Sequence, residues 1–384
     1  MGDIEEAFNT KKNTNFNFYF ISRKYLKILF NEFFSDNKIF DYNYKINNKS
    51  LKKKQKEYQE KLYKIFYFYN KFLKIDCVLS FNPFYRVERE LQSTSKRLNI
   101  KFICLHKESV NSDADNKILE YLYKHHIEKF GGDLILTYSS QEKKIILNSK
   151  FANKNQVFVT GCARVDKNFR LRKKKENPTQ NVVFFLSEEY RGFPEFFSRN
   201  FSLSNKKRIF NDLKIKFNYP KYNWKELNKL TVKYLIDFAK RNSEVKIIIK
   251  GKSGLEYSYM NNFKLPINCI YTTRGLADEF ISISNLVIGF NSTVILEAMV
   301  ANKKIIIPYF YKANDRLKDN IINFDSSLIV YNKEGFFNKI IYFLKDTKSL
   351  NRFDKYNNTL KKYIGNSDGK SSERVRKIFS LFLR

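Results

Sequence analysis

Cysteine, glycine and histidine are scarce in this 384-residue sequence, and long apolar runs are missing. The four cysteines, Cys77, Cys104, Cys162 and Cys269, are scattered with no C-x-x-C spacing. That argues against a disulfide framework and against any metal site, and predicts buried free thiols. No apolar run approaches the roughly 18 residues that span a bilayer. Met1 to Lys12 is polar and acidic rather than signal-like, and Glu6 stands where a myristoylation motif wants Ser or Thr. The expectation is a cytoplasmic protein, resting at most on the inner face of the cell membrane. The 12 glycines are less than half the usual share of ~7%. Lys, Asn, Ile, Phe and Tyr abound instead, all with codons rich in A and T, so genomic bias accounts for much of the profile.

Zinc-finger spacing, an RNP-like aromatic motif and a compact basic helix are also absent, although 72 Lys and Arg outnumber 39 Asp and Glu to give a net charge of +33. Specific nucleic-acid binding is therefore not expected, and the charge is read either as attraction to an anionic membrane surface or as genomic drift of surface residues to Lys. A hydrophobic share of 43% and an aromatic share of 17% suffice for ordinary cores. The length suits two or three domains.

Helical spacing fills Asn15 to Phe72, with Phe18 to Ile21 as a candidate strand. From Ile75 the pattern becomes an alternation of short apolar runs and amphipathic helices: runs at Ile75 to Phe81, Lys101 to Leu105, Asp133 to Thr137 and Gln156 to Thr160, helices at Tyr85 to Leu98, Ile118 to Lys129 and Gln141 to Asn148. A second alternation has strands at Val182 to Leu186, Val245 to Lys250, Ile267 to Tyr271, Leu286 to Gly289 and Lys304 to Pro308, with helices at Leu227 to Arg241, Ala277 to Ser284 and Ser292 to Val300. Such alternation means βαβ units and parallel sheets. The fold class is α/β with two Rossmann-like domains: 1–170, a linker at 171–181, a second domain at 182–370 with an insertion at 187–224, and a C-terminal helix at 371–384. The aromatic, lysine-rich insertion is read as a lid or as a surface that touches lipid.

Candidate site residues cluster at strand ends. In Leu286 to Met299 an apolar strand turns through Gly289, Phe290 and Asn291 into a helix opened by Ser292 and Thr293. A helix start at the carboxyl end of a parallel strand caps itself or holds a phosphate. Glu297, a turn further on, is a candidate for ribose hydroxyls. Lys250 ends a strand before the Gly251-Lys252-Ser253-Gly254 turn, where Lys250 and, less directly, Lys252 are placed for a phosphate. His106 directly follows a strand, and Glu108 is a second candidate base. Gly161 permits a tight turn, and Arg164 and Asp166 are read as bracing residues that support the site.

Two segments carry a resemblance. Thr160 to Asp166 resembles a "TG-x-P-R-x-D" turn, and Gly289 to Met299 resembles a "GFNST-x-x-x-EA" segment, of GT-B glycosyltransferases that build bacterial capsules and surface polysaccharides. That group is similar to the CDP-glycerol glycerophosphotransferases. Asp368 to Arg374 resembles the "DGK-x-x-x-R" stretch near the end of such chains. The resemblance implies a GT-B fold, with two parallel sheets facing a central cleft, the nucleotide in the second domain and the base in the first. By the resemblance, donor contacts fall to Ser292, Thr293, Asn291, Glu297, Lys250 and Lys252, and base chemistry to His106 or Glu108. The implied partners are a nucleotide-sugar donor and a glycan or lipid-linked acceptor, with no separate cofactor. Two departures stand out: Lys250-Gly-Lys-Ser253 replaces a Lys-x-His-Pro turn, and Phe290 replaces a second glutamate found in retaining members. Polyol-phosphate transfer from a CDP-alcohol, and non-catalytic binding through the basic surface, remain the alternatives.

Overall fold

A computed structural model describes residues 2–10, 15–35, 49–107, 110–111, 113–173, 180–187, 209, 211–213, 224–290, 292–310, 324–346 and 353–383. They form two compact units, the first made of Met1–Val110, Asn116–Arg164 and Lys362–Arg384, the second of Asn111–Asp115 and Val165–Lys361.

The first unit is built on four parallel strands in sequence order, β1 (Cys77–Ser80), β2 (Lys101–Leu105), β3 (Leu134–Thr137) and β4 (Val157–Val159). All of β3 and four of the five residues of β2 are buried, as expected for parallel strands covered on both faces. Its helices are α1 (Gly2–Phe8), α2 (Arg23–Phe33), α3 (Lys49–Leu73), α4 (Arg86–Arg97), α5 (Asp113–His125) and α6 (Ser140–Asn148). Helix α4 is polar yet buries Glu88, Arg89, Glu90 and Gln92. It does so because α3 lies alongside with partners: Gln55 donates to Glu90 at 2.8 Å, Gln59 donates to its other oxygen, and Glu60 pairs with Arg97 at 2.8 Å. Phe18 to Ile21 is not a strand. Phe16 and Phe18 instead each sit 5.4 Å from Phe8, extending the apolar cluster around α1.

The second unit carries six parallel strands, β5 (Asn181–Phe185), β6 (Lys246–Lys250), β7 (Cys269–Thr272), β8 (Leu286–Ile288), β9 (Lys304–Pro308) and β10 (Ile329–Val330). Their spatial order is β10-β9-β8-β5-β6-β7. From β5 the chain builds outward through β6 and β7, then crosses back to β8 and builds the other way. This is the doubly wound order, and the reversal between β5 and β8 is its switch point. The helices described are α7 (Asp166–Arg170), α8 (Trp224–Arg241), α9 (Ala277–Ile283), α10 (Thr293–Val300), α11 (Lys333–Lys345) and α12 (Phe353–Ile364). Lys304, only 2% exposed, reaches Phe343 O at 2.6 Å and also Asp346 O, so its ammonium caps the carbonyl end of α11.

The chain leaves the first unit after Arg164 and returns to it at Lys362. Residues 362–370, read from the sequence as the end of the second domain, thus pack with the first unit, as does α13 (Ser371–Phe382). Helix α13 lies on α1, with Phe379 5.0 Å from Phe8 and Arg376 donating to Ala7 O at 2.5 Å. Most of the 187–224 insertion, and the linker core 174–179, lie outside the described residues.

Candidate functional site

In the second unit the site is defined by the loops that leave the carboxyl ends of β5 and β8, where doubly wound sheets take their ligands. After β5, Leu186 N donates to Lys250 O at 2.9 Å and Ser187 meets the fully buried Asn228 of α8. The Asn228 carboxamide accepts from Ser187 N at 3.2 Å and donates to Ser187 O at 3.2 Å, which fixes the start of this loop. After β8, a Cβ on Gly289 would lie 2.8 Å from Ile295 Cδ1, so the strand turns closely over α10 and a side chain there would have to displace the tip of Ile295. Phe290 points into the core, edge-on to Phe184 at 5.7 Å and near Tyr309 at 6.4 Å.

Ser292 is the N-cap of α10, its hydroxyl accepting from Val294 N at 3.5 Å and its carbonyl from Ile295 N at 3.1 Å. The cap satisfies part of the first turn, and the partial positive charge of the helix start remains at the switch point. Thr293 opens the helix half-buried, and Glu297 lies one turn on, also half-buried. Asn291 lies outside the described residues.

Lys250 is placed differently from the sequence expectation. Its side chain is 4% exposed and its ammonium donates to Gly251 O at 2.5 Å and Thr273 O at 3.2 Å, lying 5.5 Å from the Phe280 ring centroid. The lysine ties the loop after β6 to the loop after β7. Burial holds its pKa below the ordinary lysine value, with Glu279 acting in the opposite direction. Lys252 is exposed on the turn, and its backbone N donates to Tyr257 Oη at 3.4 Å. Of the cationic candidates, Lys252 is the one the structure leaves facing solvent.

In the first unit, His106 follows β2, donates its backbone N–H to Leu136 O at 3.0 Å, and is 1% exposed. Its Nδ1 meets Glu142 Oε1 in a close ion-pair contact, and Phe84 presents its ring edge-on at 6.3 Å. Glu142 is itself fixed: its Oε2 accepts from Tyr138 N at 3.0 Å, and its N donates to Ser139 Oγ at 3.3 Å. Both residues thus stand at the carboxyl edge of the sheet, His106 after β2 and Glu142 in the first turn after β3. The Nε2 of His106 has no partner among the described residues. Glu108 lies outside them.

Gly161 has φ +82°, and a Cβ there would lie 2.5 Å from Ser371 Oγ and 3.1 Å from Asn366 O. Arg374 donates to Thr160 O at 2.8 Å and makes a two-pronged contact with Asp368 at 3.0 and 2.9 Å. The Thr160 turn and the Asp368 to Arg374 stretch are therefore parts of one joint. Arg164 N donates to buried Asp3 at 3.1 Å, Asp3 accepts from Tyr138 Oη at 2.8 Å, and burial raises the Tyr138 phenol well above its ordinary value. Asp166 is buried at the start of α7 in the second unit. Among the described residues there is no group of three or more His, Cys, Asp or Glu that could hold a metal ion.

Glu142 and Asn228 were not anticipated. Glu142 carries a readable signal, since Ser139-Ser140-Gln141-Glu142 after a strand is a capping-box spacing. Asn228 carries none, as its role depends on Ser187, 41 residues earlier.

No protein-family model and no curated protein matches the sequence. Solved structures do match. UDP-GlcNAc 2-epimerase from Methanocaldococcus jannaschii aligns at TM-score 0.52 and 15% identity, covering 99% of this chain and 96% of that one. The wall teichoic acid polymerase TagF (H548A) aligns at TM-score 0.44 and 11% identity over 80% and 73% of the two chains. MurG of Acinetobacter baumannii aligns at 0.39 and 11% over 86% and 80%. The first of these alignments, with the two parallel sheets, makes the chain a two-domain α/β protein of the GT-B fold.

Proposed function

We propose that the chain is a glycosyltransferase that moves a sugar from a nucleotide-linked donor to a hydroxyl of a surface glycan. The observation that carries the reading is the His106–Glu142 pair: a buried imidazole whose Nδ1 lies in close contact with a fixed carboxylate, and whose Nε2 has no hydrogen-bond partner among the described residues, at the carboxyl edge of a parallel sheet. In this reading the carboxylate beside Nδ1 orients the ring and leaves Nε2 as the acceptor.

In this reading Nε2 removes the proton of the acceptor hydroxyl, and the oxygen attacks the anomeric carbon. The bond between that carbon and the donor phosphate breaks, and its electron pair leaves with the phosphate. The nucleotide is assigned to the second unit, its phosphates to the start of α10 at Ser292 and Thr293, with Lys252 as a further cation to offset the developing negative charge. Glu297 is assigned to the ribose. The UDP-sugar in the name of the epimerase that shares the fold supports a nucleotide-sugar as the donor class.

The test is donor binding followed by transfer. Thermal shifts with CMP, CDP, UDP, GDP and ADP identify the nucleotide, since a ligand at 100 times its Kd adds about 2.7 kcal/mol. Transfer from the matching sugar or polyol donor is then assayed with and without EDTA, and the product linkage distinguishes glycosidic from phosphodiester. His106→Gln should abolish transfer and spare donor binding; retained turnover would remove His106 as the base. The same fold relative also favours a second reading, epimerisation of a nucleotide-sugar. Isomerised donor in the absence of any acceptor would establish it.

A further inference from the structure

Residues 19 to 28 of the first unit form an apolar surface that the fold does not use. Tyr19 is 64% exposed, Phe20 and Ile21 53%, Tyr25 68% and Ile28 50%. Helix α2 buries its other side, where Phe30 stacks at 4.5 Å on Phe34, just beyond the helix, and meets Tyr58 of α3 at 5.3 Å. Ile21, Tyr25 and Ile28 recur at i, i+4 and i+7, which lines them along the outer face of α2 and the residue leading into it. Three cations, Arg23, Lys24 and Lys27, and one acid, the exposed Glu32 four residues beyond Ile28, occur between Asn15 and Phe33. Arg23 is used internally, pairing with Glu88 at 2.8 Å and lying over the Tyr85 ring at 4.4 Å, while Lys24 and Lys27 are exposed beside the stripe.

We propose that this face seats the protein on an anionic lipid bilayer, with Tyr19, Phe20, Ile21, Tyr25 and Ile28 entering the headgroup boundary and Lys24 and Lys27 pairing with acidic headgroups. Charge argues for lipid: Lys24 and Lys27 flank the apolar stripe and a single acid, Glu32, stands at its far end, a balance that suits the interfacial region of an acidic leaflet. Among the described residues no helix is long and apolar enough to cross a membrane, so the contact is superficial. The position is also specific. Arg23 pins α2 to the first turn of α4, which follows the carboxyl end of β1, so the stripe borders the sheet edge that carries His106 and Glu142. A second aromatic group, around Phe68 and Phe72 of α3, leads into the opposite, amino end of β1.

The inference does not rest on the transfer reading, because vesicle binding and transfer are separate measurements. The full chain is sedimented with vesicles of phosphatidylcholine alone and of phosphatidylcholine mixed with phosphatidylglycerol. Tyr25→Ser/Ile28→Ser and Lys24→Glu/Lys27→Glu are each expected to lower partition onto the acidic vesicles at least about tenfold, since one basic residue near such a surface is worth about fivefold. Lys345→Glu/Lys361→Glu, the same change in net charge on the second unit, should leave partition within about twofold. Tyr25→Trp should add a blue-shifted emission component on acidic vesicles that the parent chain, with Trp224 alone, lacks. Equal loss in the Lys345/Lys361 variant would reduce the effect to bulk charge and overturn the proposal. So would equal loss on Phe68→Ser/Phe72→Ser, or binding to oligo-dT through Tyr25 and Lys24 without vesicle binding.

Discussion

Alanine at Gly161 should loosen the attachment of α13, and the structure sets the size of the effect. The residue has φ +82°, a left-handed conformation that costs a non-glycine residue about 1–2 kcal/mol. The added Cβ would lie 2.5 Å from Ser371 Oγ, well inside van der Waals contact, and Ser371 is fully buried at the first position of α13. Overpacking of this kind costs about 1–3 kcal/mol, so Gly161→Ala should destabilise the first unit by about 2–5 kcal/mol. Ser371→Ala alone removes two weak hydrogen bonds, one donated to Asn366 O at 3.4 Å and one accepted from Arg374 Nη2 at 3.3 Å, and should cost about 1–2 kcal/mol. The double variant removes the clashing oxygen and leaves mainly the backbone strain, so it should be less damaging than the sum of the singles by about 1–2 kcal/mol. Urea unfolding combined with native-state hydrogen exchange, read on peptides from β4 and α13, measures all three. A Gly161→Ala variant within about 0.5 kcal/mol of the parent, a loss ordinary for a surface change, would refute the packing argument, as would a double variant that is strictly additive.

Asp368 is held below the usual carboxylate range chiefly by its hydrogen bond with Arg374. Its stabilising contribution is therefore complete above the ordinary value of about 3.9 and is lost as pH falls through the lower folded value. Exchange protection of α13 should drop over that acid window in the parent chain, and Asp368→Asn should abolish that pH dependence. Asn228→Ala strands the buried Ser187 N–H and should cost about 1–3 kcal/mol with faster exchange at Ser187; unchanged protection there would show that the loop is held otherwise. Burial pushes the thiols of Cys77 and Cys269 up to about 12. The native protein should then react slowly with Ellman's reagent at neutral pH and release four equivalents only in denaturant, and rapid labelling of native Cys269 would contradict its burial.

The strands were readable because parallel strands covered on both faces are nearly continuous apolar runs. Lys101 to Leu105 and Lys304 to Pro308 stand in the fold with the limits the sequence predicts. Strand β10 escaped because Ile329 and Val330 are only two residues long. Helix α12 escaped because Asn357, Asn358 and Thr359, poor helix formers, interrupt a pattern whose buried members Tyr356, Leu360, Tyr363 and Ile364 do keep helical spacing. At the candidate site, the start of α10 and the position of His106 at a strand end were legible from strand-to-helix transitions. The orientation of Lys250 was not, because a lysine at a strand end reads the same whether it faces solvent or folds back onto the carbonyls of Gly251 and Thr273. The joint between the Thr160 turn and Arg374 links residues 214 positions apart, a distance over which local pattern carries no information.

That joint also bears on how the protein is made. The first unit contains both α1 and α13, so the apolar cluster in which Ile4, Ala7 and Phe8 meet Val375 and Phe379 stays incomplete until those last two residues have emerged from the ribosome. Almost all of the second unit, Val165–Lys361, is synthesised in one stretch and lies entirely upstream of those covering residues. In vectorial synthesis the order of completion is thus inverted: the unit that is begun before the other is finished after it, with part of its apolar cluster still lacking its cover while the second unit is made.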